Sequence, residues 1–146
     1  MARFTRTATI AALAAALVAP LFTAPAASAT ETAIGCTDGA NPSSFPNPSS
    51  PRVVDGFFYG RIELRYSSNT CAWGRLTYHK SDLVWVDRAN NITEANNGNW
   101  TQLGITELTT GHQVFTPGYN DNGKVMRACA ELSDFNGLTV YCTGWY

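Results

Sequence analysis

The chain has few of the groups that most enzyme mechanisms use. It contains 2 histidines in 146 residues, and only 14% of its residues are charged. Neither His79 nor His112 lies in a Gly-x-Ser-x-Gly elbow or another local catalytic signature, which argues against a Ser-His-Asp hydrolase. We therefore predict no catalytic residues and no enzyme activity. A small cell-wall hydrolase, with one of these histidines beside a carboxylate, is kept as an alternative.

A glycosidase would need two carboxylates rather than a histidine. The acidic residues in the β-rich part of the chain that stay open as such a pair are Asp82, Asp87, Glu107 and Glu131.

Metal ligands are equally scarce. Two distant histidines and the lack of a Cys-x-x-Cys pair argue against zinc. The segment Asn120-Asp121-Asn122-Gly123 offers oxygen ligands, but it lacks the spacing and the closing Glu of a calcium loop, and turn formation explains its composition. We predict no metal and no cofactor.

Basic residues are few and scattered. The chain has 10 Lys and Arg against 11 Asp and Glu, and no stretch gathers them into a basic stripe. A nucleic-acid groove needs clustered cations facing phosphate. We therefore predict no nucleic-acid partner.

The one long apolar run spans residues 10–22, near the N-terminus. Arg3 and Arg6 precede it, and Ala27-Ser28-Ala29 supplies the small residues of a cleavage site, a pattern typical of a signal peptide. The run is shorter than the roughly 20 residues that span a bilayer. We predict a signal peptide over residues 1–29, secretion, and no membrane association after cleavage.

Four cysteines follow this segment: Cys36, Cys71, Cys129 and Cys142. An even number of cysteines in an exported chain favours structural disulfides over metal ligands or a nucleophilic thiol. We predict two disulfides.

Most of the remaining sequence alternates between apolar and polar side chains, as a half-buried strand does. Residues 61–66 follow this pattern strictly, and a polar turn separates them from a returning strand over residues 72–78. One register of this hairpin satisfies four cross-strand pairs, including a cation–π contact: Tyr66–Ala72, Ile62–Leu76, Glu63–Arg75 and Arg65–Trp73.

Further β-rich runs follow, separated by Gly-containing turns, with a polar loop over residues 90–99. The sequence predicts an all-β fold, a small antiparallel β-sandwich or partly closed barrel stabilised by two disulfides. The β domain is expected to span residues 57–146. A Pro- and Ser-rich arm of irregular structure, residues 30–56, is expected to precede it.

The last predicted hairpin constrains the disulfide pairing. A two-residue loop at Asn136-Gly137 places Cys129 diagonally beside Cys142, and a loop of residues 133–138 places the two directly opposite each other. Both loops keep the two cysteines on one face of the sheet. A three-residue loop of Phe135-Asn136-Gly137 with a bulge would instead put the cysteines on opposite faces. We predict one of the two even-length loops, the disulfide Cys129–Cys142 and, by elimination, the disulfide Cys36–Cys71.

Short motifs spread over most of the chain form a recognisable pattern: Gly35-Cys36-Thr37-Asp38-Gly39-Ala40-Asn41-Pro42, Ile62-Glu63-Leu64-Arg65-Tyr66-Ser67, Cys71, Trp73 with Arg75, Phe115-Thr116-Pro117, Ala128-Cys129 and Tyr141-Cys142-Thr143. This pattern resembles a family of small secreted bacterial proteins that is catalogued as a domain of unknown function. The resemblance implies secretion and implies no activity.

Aromatic residues supply the candidate contact surface, since Trp and Tyr give large contact areas at low entropic cost. The candidates are Trp100, Trp145, Tyr146 and Phe45. We predict a secreted, non-enzymatic domain that binds another extracellular macromolecule, either a protein partner in a secreted assembly or a cell-wall glycan. Besides the hydrolase, a second alternative to this binding function is an extracellular protease inhibitor, whose inhibitory loop would be the Pro-rich segment Pro42–Pro51 after Cys36.

Overall fold

The computed structural model describes residues 35–57, 60–77, 82–134 and 137–146. The predicted signal peptide lies outside these residues, as does His79. The strands of the described part are, in chain order, β1 Ser49–Phe57, β2 Gly60–Ser67, β3 Cys71–Thr77, β4 Leu83–Ala89, β5 Thr101–Glu107, β6 Gln113–Phe115, β7 Tyr119–Asn120, β8 Val125–Asp134 and β9 Gly137–Cys142. Helical structure in the same ranges is confined to a 3₁₀ turn, Pro42–Ser44, and a helix α1, Ile92–Asn96.

The strands form two antiparallel sheets. The first sheet has the order β1-β2-β3-β6, with β7 also pairing with β3, and the second has the order β5-β4-β8-β9. The two sheets pack face to face and do not close into a barrel. The all-β prediction and its sandwich alternative are therefore confirmed.

The hydrophobic core lies between the two sheets and is formed by the side chains on their inner faces. Its buried members are Ile62, Leu64, Ala72 and Leu76 from the first sheet and Val84, Val86, Met126, Ala128, Ala130 and Leu132 from the second. Gly74 allows a close approach of β3 to β4, because a Cβ there would lie 3.1 Å from Val84 Cγ2 and 3.2 Å from the Trp85 carbonyl oxygen. A larger residue at this position would push β3 away from β4.

The predicted first hairpin is confirmed in every pair. Strand β2 pairs with β3 in the expected register, with Tyr66 opposite Ala72 and Glu63 opposite Arg75. The Arg65 guanidinium carbon lies 5.8 Å from the centre of the Trp73 ring, which is cation–π range.

The β structure begins earlier than predicted. Residues from Ser49 onward form β1, whereas the sequence predicts an irregular arm up to residue 56. Strand β1 is at the edge of its sheet, and Pro51 falls in the register shift between Ser49 and Arg52. Proline is tolerated at such a bulge because no ladder bond needs its missing N–H.

The predicted polar loop over residues 90–99 contains the short helix α1. The Asn91 side chain caps this helix by accepting a hydrogen bond from the Glu94 backbone N–H at 2.9 Å. Helices this short show no apolar period, so the cap is the signal that marks this one. As for membrane crossing, none of the helices in the described ranges combines the necessary length with an apolar composition.

Both predicted disulfides are present. Cys36 is bonded to Cys71, and Cys129 is bonded to Cys142. Strands β8 and β9 pair with Cys129 directly opposite Cys142. This is the register of the longer of the two predicted loops, although the strand pairing continues to Asp134 and Gly137.

Candidate functional site

Two of the predicted contact residues, Trp100 and Trp145, lie beside each other and both contact the same arginine. The guanidinium carbon of Arg127 is 4.6 Å from the centre of each indole ring, and the two rings are 6.0 Å apart. Arg127 belongs to β8, where its neighbours Met126 and Ala128 face the core, so its own side chain lies on the outer face of the second sheet. We call Trp100, Arg127 and Trp145 the Trp–Arg stack.

A buried carboxylate holds the central arginine in place. Arg127 Nε donates to Asp87 Oδ2 at 2.9 Å, and the indole N–H of Trp85 donates to Asp87 Oδ1 at 3.1 Å. Asp87 is only 2% exposed. Burial raises the pKa of Asp87 above its ordinary value, and the hydrogen bond and charge of Arg127 together with the Trp85 indole oppose that rise without cancelling it. The Trp–Arg stack therefore depends on the Asp87–Arg127 ion pair. Removing either residue would leave the charge of the other without a partner.

The C-terminal segment is fastened to both sheets. Met126 and Tyr146 exchange two backbone hydrogen bonds, at 2.9 and 3.0 Å. The Tyr146 ring meets Tyr66 of β2 edge-on, with centres 5.6 Å apart, and Arg52 Nε donates to the Trp145 carbonyl oxygen at 3.1 Å. Trp145 and Tyr146 are thus held in place on the sandwich.

A polar groove of about 470 Å³ adjoins the stack and shares Trp100 with it. Its polar side chains come from the end of β4, the helix α1, the residues before β5 and the turn before β8, and the main ones are Asn90, Glu94, Asn99 and Lys124. We call this cavity the polar groove. Gly98, with a φ of +82°, makes the turn that brings the chain back past the helix to Trp100.

The polar side chains of the groove are already oriented by one another. Lys124 Nζ donates to Asn90 Oδ1 at 2.8 Å, and Asn90 Nδ2 donates to Glu94 Oε2 at 2.7 Å. Trp100 is 41% exposed beside them. The site therefore offers an exposed indole next to an amide, a carboxylate and an ammonium group in fixed positions, an arrangement that suits a ligand with both an apolar face and hydroxyl groups.

The structure brings three of the four predicted contact residues together and separates the fourth. Trp100, Trp145 and Tyr146 lie at one end of the sandwich. Phe45 lies on the first sheet, where its ring meets Trp73 edge-on with centres 5.2 Å apart. A Cβ added at Gly118 would overlap the Phe45 ring. The segment around Phe45 is therefore packed against the sheet, whereas an inhibitory loop has to project from it.

The candidate carboxylates are widely distributed. Asp87 is occupied by Arg127, and Asp82 accepts a hydrogen bond from the Ser133 backbone N–H at 2.9 Å. Glu107 and Glu131 both lie opposite Leu83, on the two strands that flank β4, which puts their Cα atoms roughly 10 Å apart. Neither of them lines the polar groove. Of the two histidines, His112 is exposed and His79 lies outside the described residues.

One cluster has the residue types of a metal site. The possible ligand atoms of Asp87, Cys129 and Cys142 lie within 4.8 Å of one another. The two sulfurs are bonded to each other, and a metal ligand would have to be a thiolate. The short distance of 3.4 Å between Cys129 Sγ and Asp87 Oδ2 is a packing contact, because a disulfide sulfur has no proton to donate.

Sequence reasoning missed Arg127 as the centre of the stack, and Asn90, Glu94 and Lys124 as groove residues. The alternation along β8 would have placed Arg127 on the outer face. Its partner Asp87 is 40 residues away in sequence, and only the pairing of β4 with β8 brings the two together.

Comparisons of the chain with protein-family models, with curated proteins and with solved structures give no match.

Proposed function

We propose that this protein is a secreted, non-enzymatic binding domain that holds an extracellular glycan in the polar groove, with a sugar ring stacked on Trp100. The observation that carries the proposal is the exposed indole of Trp100 at the wall of a groove whose polar side chains are oriented by mutual hydrogen bonds.

The chemistry of the groove fits a sugar better than an apolar ligand. A sugar ring presents C–H groups on its faces, which stack on an indole, and hydroxyl groups around its rim. Asn90 and Asn99 can donate to and accept from hydroxyl groups, Glu94 can accept from them, and Lys124 can donate to them. The volume of about 470 Å³ is within the range of small-molecule sites.

The neighbouring aromatic residues would extend the contact beyond one ring. Trp145 follows Trp100 at 6.0 Å, and Tyr146 comes next along the chain and is exposed. A polymer with one sugar in the groove would continue across this aromatic surface, which favours a polysaccharide over a free monosaccharide.

The absence of catalysis is supported by the acidic residues of the groove. Glu94 is the one carboxylate in its lining. Asn90 and Asn91 hold Glu94 in place by donating to its two oxygens, each of which can still accept a hydrogen bond from a ligand. Glycoside hydrolysis ordinarily uses a pair of carboxylates on either side of the scissile bond. The groove is therefore suited to holding a glycan without cleaving it.

Secretion is supported by the two disulfides, which persist in oxidising compartments, and by the predicted signal peptide. The four cysteines are all paired. A domain outside the cell would meet cell-wall polymers, which is consistent with a glycan ligand.

Cosedimentation with insoluble polysaccharides tests the proposal. The mature protein is mixed with cellulose, chitin or purified peptidoglycan, and the bound fraction is measured after centrifugation. We expect the wild type and the control variant Ile105→Ala to sediment with at least one polymer, and Trp100→Ala to stay in the supernatant. Ile105 is a suitable control because it is exposed and apolar and does not line the groove.

Two results would overturn the proposal. In the first, the wild type stays in the supernatant with all three polymers, which would return weight to a protein partner. In the second, folded Trp100→Ala sediments as well as the wild type. Thermal unfolding of each variant shows whether it is folded.

A further inference from the structure

A second cavity, of about 160 Å³, lies on the outer face of the first sheet, away from the polar groove. Residues before β1 form one side of it, and β2, β3 and β6 form the other. Its main lining residues are Pro42, Pro48, Arg65, Trp73, Arg75 and Phe115. We call it the arginine pocket.

The floor of the pocket carries more positive than negative charge. Glu63, 1% exposed, is bonded to Arg75 Nε and lies 3.3 Å from Arg61 Nε and 3.7 Å from Arg65 Nη1. Asp55 balances Arg61 at 3.2 Å. Three guanidinium groups thus meet two carboxylates, and one positive charge is left over.

The balance holds at neutral pH because Glu63 stays ionised. Burial raises the pKa of Glu63, but the hydrogen bonds from Arg75 and Ser50 and the charges of Arg75 and Arg61 outweigh it, so that the pKa lies below its ordinary value. Glu63 therefore does not take up a proton to change the charge of the cluster.

Donor groups of both arginines in the pocket wall are unused. The buried Nε of Arg65 has no hydrogen-bond partner among the described residues. Arg75 uses its Nε on Glu63, and the same part of the structure records no hydrogen bond from its terminal nitrogens. The Arg65 Nε is itself inaccessible, so an acceptor in the pocket would bind the terminal nitrogens of the two guanidinium groups, and its negative charge would offset the unsatisfied charge of the cluster.

The remaining walls are apolar. Trp73 is buried against Phe45, whereas Phe115 is 43% exposed at the edge of the sheet. Pro42 and Pro48 close the opposite side. A ligand that accepts hydrogen bonds from the arginines would therefore also have to place a hydrocarbon body against the rings of Trp73 and Phe115.

We propose that the arginine pocket binds a small monocarboxylate with an aromatic or branched aliphatic body. The carboxylate accepts from the guanidinium groups of Arg65 and Arg75, and the hydrocarbon body lies against Trp73 and Phe115. The geometry of a guanidinium group suits a carboxylate and a phosphate alike, so the net charge has to distinguish the two. The single surplus positive charge matches a carboxylate, whereas a phosphate monoester carries about −1.5 to −2.

The size of the cavity argues for a free small molecule. At about 160 Å³ it is below the roughly 300–1,000 Å³ of sites for drug-sized ligands. The part of the ligand that lies in the arginine pocket therefore has the dimensions of a single ring or a short branched acid. A more open cavity of about 500 Å³ adjoins the pocket and shares Pro42, Ser43 and Phe115 with it.

Benzoate is the probe for the test, and benzamide, which has the same shape without the charge, is its control. Binding is followed by the indole N–H signal of Trp73 in two-dimensional NMR spectra of the mature protein. We expect a saturable shift with benzoate and an affinity for benzamide at least about tenfold lower, because charge-assisted hydrogen bonds are lost. Added salt should weaken benzoate binding.

Variants locate the site. Phe115→Ala removes an exposed wall and should weaken benzoate binding, whereas Ile105→Ala should not. Arg65→Gln should reduce the preference for benzoate over benzamide. Trp100→Ala should leave benzoate binding unchanged, which separates this inference from the glycan proposal. If Arg65→Gln does not fold, the benzoate–benzamide comparison on the wild type decides.

The inference is overturned if benzamide binds as tightly as benzoate, if the Trp73 signal shows no saturable shift, or if Phe115→Ala binds benzoate like the wild type. Inorganic phosphate that competes with benzoate at equal affinity would overturn the choice of carboxylate.

Discussion

Replacing Arg127 with methionine tests how the aromatic surface is held together. The substitution keeps an unbranched apolar chain in contact with Trp100 and Trp145 but removes the positive charge. It abolishes two cation–π contacts at 4.6 Å, worth about 0.5–1 kcal/mol each at partly exposed sites. It also leaves the buried Asp87 without its cation.

Leaving Asp87 without its cation costs more than losing the two cation–π contacts. Removing one partner of a buried ion pair costs roughly 3–5 kcal/mol. Arg127 is partly exposed, which puts the loss from the broken ion pair near the lower end, about 3 kcal/mol. With the two cation–π contacts the expected loss is about 4–5 kcal/mol in total. Urea denaturation with the disulfides intact measures this loss. We expect Asp87→Asn combined with Arg127→Met to be more stable than Arg127→Met alone, because no buried charge is then unpaired.

The loss of stability in Arg127→Met should be smaller at low pH than at neutral pH. The pKa of Asp87 is already raised by burial, and removing Arg127 raises it further. A carboxyl group whose pKa is higher in the folded than in the unfolded state stabilises the fold when it is protonated, and this stabilisation is lost as pH rises through the folded pKa. Arg127→Met should therefore be closest to the wild type in acid.

The reasoning is refuted if Arg127→Met loses less than about 1 kcal/mol at neutral pH and the double-mutant cycle with Asp87→Asn shows no coupling. The stack would then be a surface contact rather than an anchored unit.

Three further predictions concern the fold. Replacing both Cys36 and Cys71 with serine should lower the free energy of unfolding by about 4 kcal/mol in the chain-entropy model, as measured by urea denaturation; an unchanged midpoint would contradict this. Leu76→Ala should lower the free energy of unfolding by about 2–5 kcal/mol in the same assay, because Leu76 is fully buried. A loss below about 1 kcal/mol would contradict this prediction. Burial raises the pKa of Asp121 to about 6, although a backbone hydrogen bond opposes the rise. A carboxyl group with a raised pKa stabilises the fold while it is protonated, so the free energy of unfolding should decrease as pH rises from about 4 through about 6. Asp121→Asn should remove that decrease, and NMR titration of Asp121 in the wild type should give the raised pKa; an ordinary value would contradict the effect.

The features that were predictable from the sequence are those set by local pairing. The hairpin of β2 and β3 follows from strict alternation, and a wrong register would have separated Glu63 from Arg75 and turned Ile62 away from the core. The Cys129–Cys142 disulfide follows from the same kind of argument, since its two strands are adjacent in the chain.

The features that were missed depend on contacts between distant parts of the chain or on single residues. Strand β1 was missed because proline is read as a strand breaker, although an edge bulge accommodates Pro51. Helix α1 depends on the cap at Asn91 rather than on a repeating pattern. The Asp87–Arg127 pair depends on β4 lying beside β8, which no local pattern predicts.

The most direct test of the glycan proposal is to observe which side chain touches the sugar. Intermolecular NOEs are measured between the mature protein and a soluble oligosaccharide of the polymer it binds. The account predicts NOEs from the ring protons of Trp100 to C–H protons on one face of a sugar ring. Binding with NOEs from other residues and none from Trp100 would contradict it.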